Sequence, residues 1–158
     1  MSEPTHSSTV TGWREWVSLP DAEVPWIKAK LDTGARTSAL HAFDVVELER
    51  EGNAFVRFSI HPWQRSGEDA RTVELPLLDR RLVRSSSGHQ EERIAVPMRV
   101  VLAGREVTAE VTLTDRDQMG FRMLVGRQAL AQGYLVDSGT SYAGGRPKRA
   151  VRRRNWGR

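Results

Sequence analysis

Short segments in which apolar and polar residues alternate recur along most of the chain, and this period of two constrains the fold more than any other feature. GWREWVS (12–18), VPWIKAKL (24–31) and NAFVRFSI (53–60) all show it, the last with Ala54, Val56, Phe58 and Ile60 on one face. Such a period is what a half-buried strand requires, because successive side chains point to opposite faces of a sheet. Residues 36–48 have room for one or two further strands, and ARTVELPLL (70–78) reads as another. RIAVPMRVVL (93–102) and REVTAEVTLT (105–114) flank Ala103-Gly104, a hairpin signature. FRMLVG (121–126) is an apolar run, RQALAQ (127–132) suits a short helix, Gly133 suits its C-cap, and YLV (134–136) reads as a final strand. Strand after short strand, with turn residues between, predicts an all-β domain that is closed or sandwiched.

With 158 residues the chain is long enough for one domain with a real core. No apolar run approaches the roughly 18 residues that cross a bilayer. The polar start MSEPTHSSTV has no signal-peptide pattern, so the expected location is cytoplasmic, without a membrane. Cysteine is absent, which excludes disulfides, thiolate metal sites and cysteine nucleophiles. The net charge of +4 is uneven: residues 145–158, GRPKRAVRRRNWGR, carry seven Lys/Arg and no acid, which leaves residues 1–144 at −3. Such a segment suits either a solvated, disordered end or a phosphate-binding arm for nucleic acid. The expected organisation is a disordered N-terminus over 1–10, a β domain over 11–137 and a basic, disordered tail over 138–158.

Common catalytic devices are missing. No Gly is followed by Lys, which excludes a P-loop, and neither H-E-x-x-H nor G-x-S-x-G occurs. His6, His41, His61 and His89 lie far apart without metal-ligand spacing. No metal or cofactor is therefore expected, and carboxylates are the best catalytic candidates. Within KAKLDTGARTSAL (28–40), Asp32 ends an alternating run and precedes Thr33-Gly34-Ala35. The residue reads either as a turn-starting Asp or as a carboxylate held on a tight loop.

Leu31-Asp32-Thr33-Gly34-Ala35 resembles the active-site loop of retropepsin-like aspartic peptidases. Some ninety residues later, Leu124-Val125-Gly126-Arg127 is similar to the apolar-apolar-Gly-Arg motif that precedes the short C-terminal helix of a retropepsin lobe, and QALAQ follows it as that fold requires. The longer strings KAKLDTGARTSALHA and DRDQMGFRMLVGRQAL resemble a bacterial branch of this group once labelled ATP-dependent zinc protease. The likeness covers about residues 11–137. It implies a single closed β-barrel lobe with one short C-terminal helix. The older label finds neither a zinc-ligand set nor a nucleotide loop.

The resemblance implies Asp32, Thr33 and Gly34 as the catalytic loop, Ala35 and Arg36 as substrate-binding, and Leu124, Val125, Gly126 and Arg127 as its support. Aspartic peptidases need two carboxylates sharing one proton. Asp137-Ser138-Gly139 looks like a second copy, but only 21 residues follow Asp137, too few for another lobe, so Asp137 reads as a turn residue after the last strand. The second carboxylate must then come from another chain, a symmetric homodimer. Residues 80–95 would supply a flap. Viral members carry an acid after D-T-G-A, where this chain has Arg36, so Arg127 needs another partner: Asp115, Asp117 or a backbone carbonyl. Arg36 either recognises an acidic substrate group or pairs with a nearby Glu.

The expected function is an aspartic-type peptidase acting on peptide or glutamyl-type amide bonds through a dyad formed across the homodimer. Relatives are associated with ATP-grasp ligases that add amino acids to peptide ends, which implies such a pathway as partner. The alternative is a non-catalytic lobe that binds a peptide or protein. Nucleic acid enters only through the basic tail.

Overall fold

A computed structural model describes residues 8–63, 66–84, 88–114 and 120–153. In chain order the strands are β1 (Thr9–Leu19), β2 (Val24–Leu31), β3 (Ser38–His41), β4 (Phe43–Arg50), β5 (Asn53–Ile60), β6 (Arg71–Pro76), β7 (Asp79–Arg84), β8 (Gln90–Leu102), β9 (Arg105–Thr114), β10 (Met123–Val125) and β11 (Tyr134–Ser141). Two one-turn helices, α1 (Arg127–Leu130) and α2 (Arg149–Arg152), complete the described elements together with a 3-10 turn at Pro20–Ala22. The chain is mostly β, as its alternation predicts.

The strands form an eight-stranded sheet in the order β11-β1-β2-β10-β3-β9-β8-β7 and a three-stranded sheet β4-β5-β6. A single pairing, Ser18↔Val101, links β1 back to β8. The expectation of a closed barrel therefore reduces to a large sheet that bends back on itself through one bridge. The single expected helix is joined by the short α2. Inward-facing residues of both sheets, including Val17, Ile27, Phe58, Ile60, Met98 and Met123, build one core. On β5, Val56, Phe58 and Ile60 are buried as the alternation requires, while Ala54, near the strand start, is exposed.

The β8–β9 hairpin turns at Ala103 and Gly104, both at positive φ (51° and 78°), the left-handed pair that a two-residue hairpin needs. Other boundaries differ from the sequence reading. The last strand begins at Tyr134 but runs to Ser141, because it pairs in parallel with β1 from Thr9↔Tyr134 to Gly12↔Asp137 and resumes at Arg14↔Ser141. Asp137 thus lies inside β11 rather than after it. Its carboxylate accepts hydrogen bonds from Gly139 N (2.9 Å) and Thr140 Oγ1 (2.8 Å), which shapes the bulge. α1 is capped at Ala131, not at Gly133. Gly133, at φ 116°, instead makes room for Arg105, whose Nη1 donates to the Gly133 carbonyl at 2.9 Å.

Beyond β11 the chain stays docked. Glu15 is fully buried, and its carboxylate accepts from Gly12 N (2.6 Å), Ala143 N (2.8 Å) and Gly144 N (2.9 Å). A buried carboxylate is tolerated when such N–H groups satisfy it. This holds the segment after β11 against β1.

Candidate active site

β2 carries its alternation to Leu31 and delivers Asp32 at its end, where the chain must turn. β10 lies beside it in parallel, Val125 opposite Leu31, and Asp32 N donates to Val125 O at 2.9 Å. The turn is closed locally: Gly34 N donates to Asp32 Oδ1 (2.9 Å) and Ala35 N to Asp32 O (3.2 Å). The carboxylate is thereby oriented by its own loop, an Asx turn.

The second motif is stitched onto the first. Arg127 N donates to Ala35 O (2.7 Å) and Gln128 N to Arg36 O (3.0 Å), so the first turn of α1 spends its spare N–H groups on the Asp32 loop. Gly126 N donates to Ser38 Oγ at 3.0 Å. A Cβ on Gly126 would stand 2.4 Å from Thr37 O and 3.0 Å from Ala35 O, so only glycine allows this approach. Arg127 Nη1 donates to Thr33 O at 3.2 Å, the backbone-carbonyl partner among those expected; Asp115 and Asp117 lie outside the described residues.

All nine residues singled out from the two motifs thus meet at one place. Leu124, Val125 and Gly126 are buried beneath the loop, while Thr33, Gly34 and Arg36 are exposed and Asp32 is half-buried. The Thr33 hydroxyl makes no hydrogen bond among the described residues. Arg36 has no ion pair among them either, so of its two expected roles the pairing with a nearby Glu is not seen among the described residues.

A groove of about 970 Å³ lies between this loop and the β7–β8 hairpin. Its floor is a continuous row of cross-strand partners. Lys30 (β2) stands opposite Leu124 (β10), Leu124 opposite Ala39 (β3), Ala39 opposite Thr112 (β9), Thr112 opposite Ala95 (β8), and Ala95 opposite Asp79 (β7). Directly opposed residues share a sheet face. On the hairpin side Arg81 bonds Asp79 (2.8 Å) and Glu110 (2.5 Å); burial opposes its charge, but these carboxylates outweigh it and hold its pKa above the ordinary value. The remaining groove cations are differently placed. Lys30, Arg36 and Arg84 have no carboxylate partner among the described residues, and Arg93 Nε is buried without a hydrogen-bond acceptor. Residues 79–84 and 90–95 form the hairpin expected as a flap; residues 85–87 lie outside the described ones.

Sequence reasoning did not find Ser38, Lys30 or the groove floor. Ser38 carries no motif signal, but the period of two running back from Asp32 does place Lys30 on the carboxylate's side. Among the described residues, no three His, Asp or Glu side chains gather as a metal-ligand set. No helix among them is long and apolar enough to cross a membrane.

A β lobe whose D-T-G-A loop is hydrogen-bonded to an L-V-G-R strand and helix start defines the retropepsin-like class. The chain belongs to the RimB-like family, described as the retropepsin-like aspartic endopeptidase RimB, which it matches over residues 10–147. Curated relatives from Shewanella pealeana and Shewanella halifaxensis, each named "Probable alpha-L-glutamate ligase", are 41% identical over 133 residues, 84% of this chain. The chain spans 29% of the length of those relatives. A solved structure of a Legionella pneumophila protein of unknown function superposes with a TM-score of 0.74 at 25% identity, covering 87% of this chain and 99% of the other.

Proposed function

We propose that the protein is an aspartic-type hydrolase of peptide or glutamyl-type amide bonds, with a dyad formed by Asp32 from each of two copies. The observation that carries this reading is the Asp32 loop, held by Val125, Gly34 and the start of α1 with its carboxylate half-buried at the groove. Two such carboxylates brought close share one proton, since like charges at that distance do not both ionise. The ionised Asp32 takes a proton from water, which attacks the amide carbon. The protonated one donates to the carbonyl oxygen, and the resulting tetrahedral species collapses with proton return to the leaving amine. The exposed Thr33 hydroxyl is available to the partner's loop.

The groove's chemistry supports an acidic substrate. Among the described residues Lys30, Arg36 and Arg84 lack carboxylate partners and Arg93 Nε lacks an acceptor, so a glutamyl chain would supply what the walls leave unsatisfied there. The relatives' name points the same way, toward a pathway in which a ligase adds glutamate and this protein removes it. Asp32→Asn should abolish hydrolysis of an oligo-glutamate peptide while thermal melting stays within about 2 °C, because the Asx turn survives. Hydrolysis retained by this variant would overturn the proposal. The competing reading is a binding lobe without turnover, favoured by Arg36 in place of the acid that viral members carry; Asp32→Asn would then leave peptide binding intact with no hydrolysis in either protein.

A further inference from the structure

The groove floor does not end at Lys30. In the β1–β2 pairing Arg14 stands directly opposite Lys30, so the row continues one strand further, onto β1, with its side chain on the same face. Arg14 reaches the C-terminal segment: its Nε donates to Ser141 Oγ (3.1 Å) and its guanidinium lies 4.8 Å from the Trp13 ring centroid and 4.9 Å from that of Tyr142. Arg146 packs on the same Tyr142 ring at 6.0 Å. Beyond it come Lys148 and Arg149, both exposed.

This track is positive and unneutralised. Arg14, Lys30, Arg146, Lys148 and Arg149 form no ion pair among the described residues. Two acids on the neighbouring strands are committed elsewhere: Glu15 is buried and satisfied by three backbone N–H groups, and the Asp137 carboxylate is engaged by Gly139 and Thr140. Glu15 is also what holds residues 143 and 144 down, so the start of the basic segment is a docked surface rather than a free end.

We propose that the basic segment from Arg146 to Arg149, joined to the groove through Arg14 and Lys30, is an exosite for an acidic polypeptide chain continuing from the groove. The inference rests on the acidic-substrate reading above. Its occupant is a polypeptide rather than RNA because the track leads into the cleft holding the Asp32 loop. Crossing from Leu124 to Arg14 covers two strand spacings, roughly 10 Å, and the Tyr142 ring adds about as much again to Arg146. An extended chain therefore needs about six residues beyond the groove to engage the whole track.

The test uses the full chain carrying Asp32→Asn, with fluorescein-labelled oligo-L-glutamate of four and of twelve residues, read by anisotropy at low and moderate salt. The twelve-residue peptide should bind about tenfold tighter than the four-residue one, with the advantage shrinking as salt rises. The triple substitution R146E/K148E/R149E should remove that advantage and leave the short peptide unchanged; R146Q/K148Q/R149Q should do the same to a lesser degree and serves if the charge reversal unfolds the chain. Equal affinity for both lengths, or a length advantage surviving both triple variants, would overturn the exosite. So would a twelve-nucleotide RNA that displaces the peptide through the same three residues at lower concentration. Binding is read apart from turnover: a length-dependent peptide that the native protein never cleaves keeps the exosite and removes the hydrolase, whereas cleavage without length dependence does the reverse.

Discussion

Gly126→Ala is the substitution that most directly questions how the site is built. Gly126 sits at φ −96° and ψ 179°, which alanine adopts freely, so backbone strain plays no part. The obstacle is space: the new methyl would lie 2.4 Å from Thr37 O and 2.5 Å from Thr37 C, both backbone atoms, with Ala35 O at 3.0 Å. No side chain can swing aside. The Asp32 loop and the β10–α1 junction must separate, which costs about 1–3 kcal/mol as overpacking. Separation also weakens the bonds from Arg127 N to Ala35 O and from Gln128 N to Arg36 O, each worth about 1 kcal/mol. The expected loss is about 3–4 kcal/mol, a large share of the stability of an ordinary domain. Urea unfolding followed by tryptophan fluorescence measures it, with Gly34→Ala as the control, since a methyl there meets only the Asp32 carboxylate at 3.2 Å. A Gly126→Ala protein as stable as that control, within about 0.5 kcal/mol, would refute the stitched-loop account.

Three further outcomes are expected. Glu15→Gln replaces one acceptor oxygen with a donor facing backbone N–H groups, so the urea midpoint should fall by the equivalent of about 2–3 kcal/mol and the Ala143 and Gly144 amides should exchange faster; unchanged exchange would contradict the tether. Hydrogen bonds from Arg80 hold the Glu47 carboxyl below its ordinary value, those from Arg50 do the same for Glu74, and Gly139 N and Thr140 for Asp137. The unfolded chain then takes up protons first as pH falls through the ordinary carboxylate range, so these contributions are present at neutral pH and fade below about 4.5; an Arg50→Gln protein should show a shallower acid limb in thermal melts, and an unaltered limb would contradict this. Burial raises the Tyr134 hydroxyl, which lies 2.9 Å from Leu102 O, so its stabilisation is present below about pH 10 and is lost as pH rises through the folded value; Tyr134→Phe should flatten the alkaline limb.

Much of the site was legible because its two halves are written as contiguous strings. Asp32-Thr33-Gly34-Ala35 and Leu124-Val125-Gly126-Arg127 each carry a local constraint, a tight turn or a close approach, that few residue types satisfy. The bounds of β2 and β5 were legible to the residue, since each turns an apolar face to the core, although Lys28 and Ser59 on the opposite faces are buried as well. The rest depends on contacts distant in sequence. Glu15 reads as an ordinary polar position in GWREWVS, and only the return of residues 143 and 144 turns it into a buried acceptor. The full length of β11 was hidden because Ser138, Gly139 and Thr140 look like a loop; they form the bulge between the β1 pairings at Asp137 and Ser141. The split into eight- and three-stranded sheets was equally hidden, because pairing partners leave no mark in any single strand.

The central claim is that catalysis needs Asp32 from two chains. It is tested by titrating Asp32→Asn protein into native protein at constant total concentration, after subunit exchange, while following cleavage of a labelled oligo-glutamate peptide. A shared dyad predicts that activity falls with the square of the native fraction, leaving about a quarter at equal mixing. A linear fall, with about half remaining, would mean that each chain works alone and would contradict the account.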